Sequence, residues 1–336
     1  MILISSRLDD ISTSNVIDWL YYQGKDYLRF NGDSFDALFS YRNNVLYFKS
    51  NYRDKEIPLK HIDSFWYRKC GLNIRKGNNS QANIDVFPDK SENTYNYIST
   101  YGMEFTLSEY KAYRDFIFSY IARHTYFNIG SYRQRDLNKV EMLSLAREYG
   151  LLVPQTFVLN NKHSLTKVIE KYGDVIVKPL YEGVYEIRKE NAFVSYTSLI
   201  SKKDLVNIPS KFPFALFQTK IEKQIEIRVI YIAGVCYSIA MFTQEYENSK
   251  IDGRKCPQEN LRMTPYKLPT DIETKIVVLM KHIGLSYGAL DFILAKDNNI
   301  FFLEINPVGQ FSAYGNACNY YLYKILSEQL RNMTIK

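Results

Sequence analysis

The chain has 336 residues, 46% of them hydrophobic and 24% charged, enough for two or three domains and an ordinary globular core. Its net charge of +7 admits a nucleotide or acidic-peptide partner, but the lysines and arginines are scattered, which argues against nucleic acid. Cys70, Cys236, Cys256 and Cys318 lie far apart, make no zinc-type spacing and fit a reducing, cytoplasmic setting. The start Met1-Ile-Leu-Ile-Ser lacks a signal-peptide pattern, and no apolar run is long enough to span a bilayer.

Residues 1–31 read as strand, helix, strand. Ser12, Thr13 and Ser14 offer N-caps for a helix carrying Val16, Ile17, Trp19 and Leu20, which Gly24 closes, and Tyr27 to Asn31 is the second strand. This βαβ start implies an α/β domain with parallel pairing, without the GxGxxG loop of a dinucleotide site. Val45 to Lys49 and Ser64 to Lys69 add strands. Asn73 to Thr100, rich in Asn, Ser, Asp and Lys, reads as a long loop, and Ser108 to Arg123 resumes a helical pattern. Asn138 begins another helix, with Glu141 placed as in a capping box and Gly150 at its end. Strands are expected at Thr156 to Leu159, Asp174 to Pro179, Phe214 to Ile221 and Glu226 to Met241, and a hairpin at Tyr185 to Tyr196. Thr270 caps a helix to His282, and a last helix is expected from Ser312 to Arg331.

Between those two helices, Gly288 to Pro307 reads as a hairpin turning at Lys296 to Asn299. Alternation puts Glu304 and Asn306 on one face and Phe301, Leu303 and Ile305 on the other, with Asp291 on the paired strand. Two carboxylates and an amide oxygen on rigid strands suit Mg²⁺; a half-exposed polar strand face is the alternative.

Upstream, several residues admit similar pairs of readings. Lys178 ends an apolar strand before Pro179 and either snorkels to the surface or faces an anion. Lys139, in the first turn of a helix, opposes the dipole unless an anion binds there. Arg228 shares a strand face with Glu226, as an ion-pairing surface or as a rigid phosphate contact. Asp252, Gly253 and Arg254 lie in a polar loop, solvated or substrate-binding. In this order the lysines and Arg228 would meet phosphates, and the acids and amide would meet magnesium: a nucleotide-triphosphate site without a Walker loop.

Asp291, Glu304, Asn306 and Pro307 resemble the metal-binding signature of ATP-grasp ligases. Asp174 to Pro179 resembles their lysine strand, and Lys139 the earlier nucleotide-binding lysine. Phe217, Gln218, Lys223, Glu226 and Arg228, the Ile4 to Leu20 opening, Phe65 to Arg68 and the Asp252–Arg254 element are closer still to the graspetide (microviridin-type) peptide maturases of the grasp-with-spasm branch. The chain departs from many ATP-grasp enzymes in having a single glycine, Gly183, where they carry a glycine-rich loop.

The resemblance implies an α/β ATP-grasp fold with a domain at 1–125, a central subdomain at 126–210 bearing a leader-binding hairpin (Glu182 to Tyr196), and a C-terminal subdomain at 211–336. It implies a homodimeric, ATP- and Mg²⁺-dependent macrocyclase. Such an enzyme phosphorylates Glu or Asp side chains of a ribosomally made precursor peptide and joins them to Thr or Ser hydroxyls. Lys139, Lys178, Gln218, Lys220, Ile221, Lys223 and Arg228 would then hold the nucleotide, and Asp291, Glu304 and Asn306 the metal. Arg228, Asp252 and Arg254 would be catalytic, Arg228 by stabilising charge on the transferring phosphoryl group, Arg254 by holding the core carboxylate and Asp252 by orienting or deprotonating the hydroxyl. An amide-forming ligase and a nucleotide-binding scaffold without chemistry are the alternatives.

Overall fold

A computed structural model of the chain describes residues 1–32, 37–50, 56–68, 103–181, 185–188, 191–194, 196–246, 249–257 and 261–332. The Asn73 to Thr100 stretch read as a loop lies outside them, as do Cys70 and Gly183. The chain divides into a unit of Met1–Tyr132 with Tyr323–Lys336 and a unit of Arg133–Leu322. Sequence had suggested boundaries after residues 125 and 210, and a last section running unbroken to the C-terminus.

In the first unit, the buried strand β1 (Ile2–Ser6) leads through α1 (Ile11–Tyr22) to β2 (Tyr27–Asn31), which pairs parallel with β1. The βαβ start is therefore present, but the helix begins earlier than expected. Asp10 holds the N-cap position and Thr13 sits in the first turn, its hydroxyl donating to Asp10 Oδ2 at 3.1 Å. Strands β3 (Ala37–Arg42) and β4 (Val45–Ser50) form a hairpin, extended by β5 (Ile57–Pro58). Its turn, Asn43–Asn44, has φ of 50° and 62°, the left-handed pair that Asn tolerates in tight hairpins. Strand β6 (Ser64–Tyr67) flanks β1 on its other side, and α2 (Met103–His124) leads to β7 (Phe127–Ile129), giving the parallel order β2-β1-β6-β7.

The second unit opens with α3 (Lys139–Glu148), where Asn138 Oδ1 accepts from the Val140 and Glu141 N–H groups at 3.0 and 3.2 Å. Strand β8 (Thr156–Asn161) is followed by a helix the sequence reading missed, α4 (Lys162–Tyr172). Its signal was present: Asn161 caps the Ser164 N–H at 2.9 Å, and Leu165 and Ile169 bury one face at i, i+4 spacing. Next come β9 (Val175–Lys178), the antiparallel pair β10 (Tyr185–Arg188) and β11 (Asn191–Val194), β12 (Ser198–Ile200) and β13 (Lys211–Thr219). An antiparallel sheet in the order β12-β9-β13-β8 results.

A second antiparallel sheet, in the order β16-β15-β14-β17-β18, carries most of the core. Its strands are β14 (Lys223–Ile232), β15 (Val235–Met241), β16 (Met263–Pro265), β17 (Tyr287–Ala295) and β18 (Ile300–Asn306). Helix α5 (Thr270–His282) precedes β17 and has Pro269 at its N-cap, so Thr270 is its first turn rather than its cap. Ile225, Ile227, Val229 and Tyr231 alternate along β14 into a core with Met142, Leu143 and Ala146 of α3 and Ile276, Leu279 and Met280 of α5. Both helices cover that one face and leave the even-numbered residues of β14 on the other.

The expected C-terminal helix is two helices, α6 (Ser312–Ala317) and α7 (Leu322–Asn332). Asn319 and Tyr321 between them have φ of 54° and 53°, which breaks the helical ladder. Among the described residues, no helix is long and apolar enough to cross a membrane.

Candidate active site

The site lies on the sheet face turned away from α3 and α5. Its register depends on a bulge. Asp291 stands opposite Glu304 and Ala289 opposite Asn306, but Phe292 stands opposite Phe302, leaving Leu303 as an extra residue in β18. The bulge corrects the alternation expected for this strand: Ile300, Phe302 and Ile305 enter the core, whereas Phe301 and Leu303 are only half-buried. Glu304 and Asn306 keep their shared face because they lie on one side of the bulge.

Arg228 stands beside Asp291 in register across β14 and β17. Its Nη1 donates to both Asp291 oxygens, at 2.6 and 2.7 Å, and its guanidinium lies 4.7 Å from the centre of the Tyr314 ring. Burial disfavours the Arg228 charge, but the Asp291 carboxylate outweighs it and holds the guanidinium above its ordinary range. Burial pushes the Asp291 carboxyl up; Arg228 pulls it back and Glu304 pushes it further up, leaving it raised. The side chains of Asp291 and Glu304 are 23% and 36% exposed, so both remain open to a ligand.

Lys139 reaches down from the first turn of α3, with its Nζ 3.7 Å from Glu304 Oε2. Lys178, at the end of β9, stands in the field of Glu304, Lys139, Asp291 and Asp252. Burial lowers its pKa, Glu304 opposes that shift, and Lys139 reinforces it. Lys139, Lys178 and Arg228 thus share one cluster with Asp291 and Glu304.

The Asp252–Arg254 turn belongs to the same unit. Asp252 accepts from Arg254 N–H (3.1 Å), Arg254 Nε (2.9 Å), Arg254 Nη2 (2.5 Å) and Thr197 N–H (2.9 Å). Burial raises the Asp252 carboxyl, but the Arg254 and Thr197 hydrogen bonds outweigh it and hold the group below the usual carboxylate range. Arg254 is 61% exposed, with the centre of the Tyr196 ring 5.6 Å away.

The remaining predicted nucleotide residues fall elsewhere. Gln218 shares the face of Lys178, donates to Thr156 Oγ1 at 3.1 Å, and keeps its Oε1 buried with no partner among the described residues. Lys220 pairs with Glu222 at 2.7 Å, and its N–H donates to Asp174 O, while Ile221 is half-buried in the crossing from β13 to β14. A second bulge, at Gln224, turns Lys223 toward Glu226, and its ammonium is closed on that carboxylate. Lys220 and Lys223 therefore already have carboxylate partners. Sequence reasoning singled out neither Thr197 nor the meeting of Glu226 with Gly253; the clue available was only that Glu226 shares a face with Arg228.

The oxygen donors fit a hard divalent cation. Among the described residues no three His, Cys, Asp or Glu side chains converge, so the third ligand would be an amide. Asn306 Oδ1 accepts from Val308 N–H at 3.1 Å and retains a second lone pair. The Asp291 and Glu304 oxygens, now facing Arg228 and Lys139, likewise retain acceptor capacity.

No protein-family model and no curated protein matches the chain. Solved structures do. The macrocyclase MdnC from Microcystis aeruginosa MRC, bound with precursor peptide MdnA, is 27% identical with a TM-score of 0.77, covering 99% of each chain. A Chryseobacterium gregarium RiPP-associated ATP-grasp ligase, in complex with ADP and a leader and core peptide, is 24% identical with a TM-score of 0.76, covering 98% of this chain and 96% of that one. The ATP-grasp ligase PsnB, complexed with a phosphomimetic variant of a minimal precursor, Mg and ADP, is 17% identical with a TM-score of 0.69, covering 99% and 98%. This chain has the ATP-grasp fold, as its motifs implied, and these neighbours agree with the maturase resemblance.

Proposed function

We propose that the chain is an ATP-dependent peptide macrocyclase, which phosphorylates a Glu or Asp side chain of a leader-bearing precursor and joins it to a Thr or Ser hydroxyl as an ω-ester. The observation that carries this reading is the Asp291–Glu304 pair ringed by Arg228, Lys139 and Lys178. The full-length likeness to MdnC bound with its precursor supports the substrate class.

Asp291, Glu304 and Asn306 would hold Mg²⁺, which when bound neutralises phosphate charge. Lys139 and Lys178, both beside Glu304, would take phosphate oxygens. The buried, unpartnered Gln218 Oε1 suits an amine donor of the base. A substrate carboxylate oxygen attacks the γ-phosphorus and ADP leaves. The hydroxyl oxygen then attacks the acyl carbon, phosphate leaves, and the hydroxyl proton passes to solvent or a base. Arg228 would stabilise charge on the transferring group, and holding both ends in one site makes closure effectively unimolecular.

Arg254 has its Nε and Nη2 edge on Asp252, which leaves its exposed Nη1 and the second Nη2 hydrogen for a core carboxylate. Asp252 is better suited to positioning than to proton abstraction. A carboxylate held below its ordinary range and already accepting four hydrogen bonds is a weak base. The two-stranded β10–β11 hairpin is the surface we assign to the leader.

Incubation with ATP, Mg²⁺ and a leader-bearing precursor peptide with a Thr- and Glu/Asp-rich core, followed by mass spectrometry, tests the reading. Loss of water from one peptide with ADP release supports it. A mass gain points to an amide-forming ligase, and an unchanged peptide without ADP sinks it. Light scattering would decide whether the chain works as the dimer the resemblance implies.

A further inference from the structure

The Asp252–Arg254 turn has no space for a side chain at its centre. A Cβ on Gly253 would lie 2.5 and 2.8 Å from the two Glu226 carboxylate oxygens. Gly253 is not among the glycines with positive φ, so space rather than backbone conformation calls for glycine here. A carboxylate at the end of a flexible side chain would ordinarily swing aside. Glu226 is pinned: it accepts from Lys223 Nζ and from Thr243 Oγ1 at 3.2 Å, and both partners are buried. The turn itself is held more loosely, with Arg254 61% exposed. Thr197 N–H holds Asp252 at 2.9 Å, and the Tyr196 ring lies 5.6 Å from the Arg254 guanidinium and 5.0 Å from Lys255 Nζ.

We propose that Glu226 and Gly253 are a positioning pair: the pinned carboxylate seats in the space the glycine leaves, and so sets where Arg254 is presented above the sheet. This rests on Arg254 as the contact to the substrate carboxylate. Neither residue touches the reacting atoms. A methyl group on Gly253 would have to gain roughly 1 Å to reach ordinary contact distance, and the turn is the part able to move. A displacement of about that size costs on the order of 10²-fold in a precisely held reaction.

The experiment uses the full-length chain with Gly253→Ala, Glu226→Asp and Gly253→Ala combined with either Glu226→Asp or Glu226→Gln. Aspartate withdraws the carboxylate by one methylene; glutamine keeps its bulk. Without any ligand, amide exchange at Arg254, Lys255 and Cys256 should accelerate in Gly253→Ala. Adding Glu226→Asp should restore it, and adding Glu226→Gln should not. With the precursor, Gly253→Ala should lower kcat/KM for the peptide by about 10²-fold with the ATP KM unchanged, and the Asp double variant should recover most of it. Wild-type exchange in Gly253→Ala, or no restoration by Glu226→Asp in a protein that melts like wild type, overturns the pairing. Normal cyclisation by Arg254→Ala would instead overturn the substrate reading of Arg254, and the exchange result would still decide the pairing.

Discussion

Replacing Arg228 by methionine keeps most of the buried stem and removes the charge that Asp291 faces. Two charged hydrogen bonds, at 2.6 and 2.7 Å, are lost together with the contact to the Tyr314 ring. Hydrogen bonds to charged groups contribute about 1.5–3 kcal/mol, and stranding one member of a buried pair costs about 3–5 kcal/mol. The 23% exposure of Asp291 lets water repay part of that, which places the expected loss near the lower figure, about 3 kcal/mol. Adding Asp291→Asn removes the stranded charge and should restore roughly 1–2 kcal/mol, so the two substitutions are not additive. Both tryptophans, Trp19 and Trp66, lie in the first unit, so fluorescence would report the wrong part of the chain. Native-state amide exchange of β14 and β17 reads the loss directly. A change below about 0.5 kcal/mol, or simple additivity with Asp291→Asn, would refute the view that this pair is a coupled, partly buried unit.

Glu304→Gln should abolish cyclisation while leaving precursor binding, measured by calorimetry, within a few-fold of wild type; retained turnover would remove Glu304 from the metal site. Deleting Leu303 turns β18 into an unbroken ladder in which Phe302 still stands opposite Phe292 and Glu304 opposite Asp291, so the deletion variant should fold and keep the carboxylate pair on one face. A deletion variant that folds but loses Mg²⁺-dependent cyclisation would show that the bulge does more than keep the strand in phase. Asp252 has a folded-state pKa below the ordinary 3.8, so its stabilising contribution is full above the unfolded carboxylate range and lost as pH falls through the folded value. Wild type should therefore exceed Asp252→Asn in stability at neutral pH, and the gap should close on acidification; a constant gap would contradict the assignment. Burial pushes the Cys236 thiol up to about 12, so alkylation of native protein at neutral pH should be slow at this residue. Rapid labelling, read by peptide mapping, would contradict that.

Much of the site was legible because its residues lie on regular elements. Asp291, Glu304 and Asn306 could be placed from strand alternation, and Lys139 from the Asn138 cap. What escaped was anything created by irregular backbone. The extra Leu303 reverses the phase of β18, and the bulge at Gln224 turns Lys223 onto Glu226; neither leaves a glycine or proline in the sequence. Helix α4 was hidden by the polar run from Asn160 to Ser164, which contains its cap and reads as loop. The break between α6 and α7 rests on positive φ at Asn319 and Tyr321, and tyrosine carries no turn signature. The Gly253–Glu226 contact joins residues far apart in the chain, and no local pattern could have revealed it.

The central claim is that a side-chain carboxylate is activated as an acyl phosphate on the Asp291–Glu304 face. The most direct measurement uses a precursor whose Glu and Asp carboxyl groups carry oxygen-18. Phosphorylation of the carboxylate followed by hydroxyl attack transfers one labelled oxygen to inorganic phosphate for each ring closed, and Glu304→Gln should produce no labelled phosphate. Rings formed while the released phosphate stays unlabelled would contradict the account.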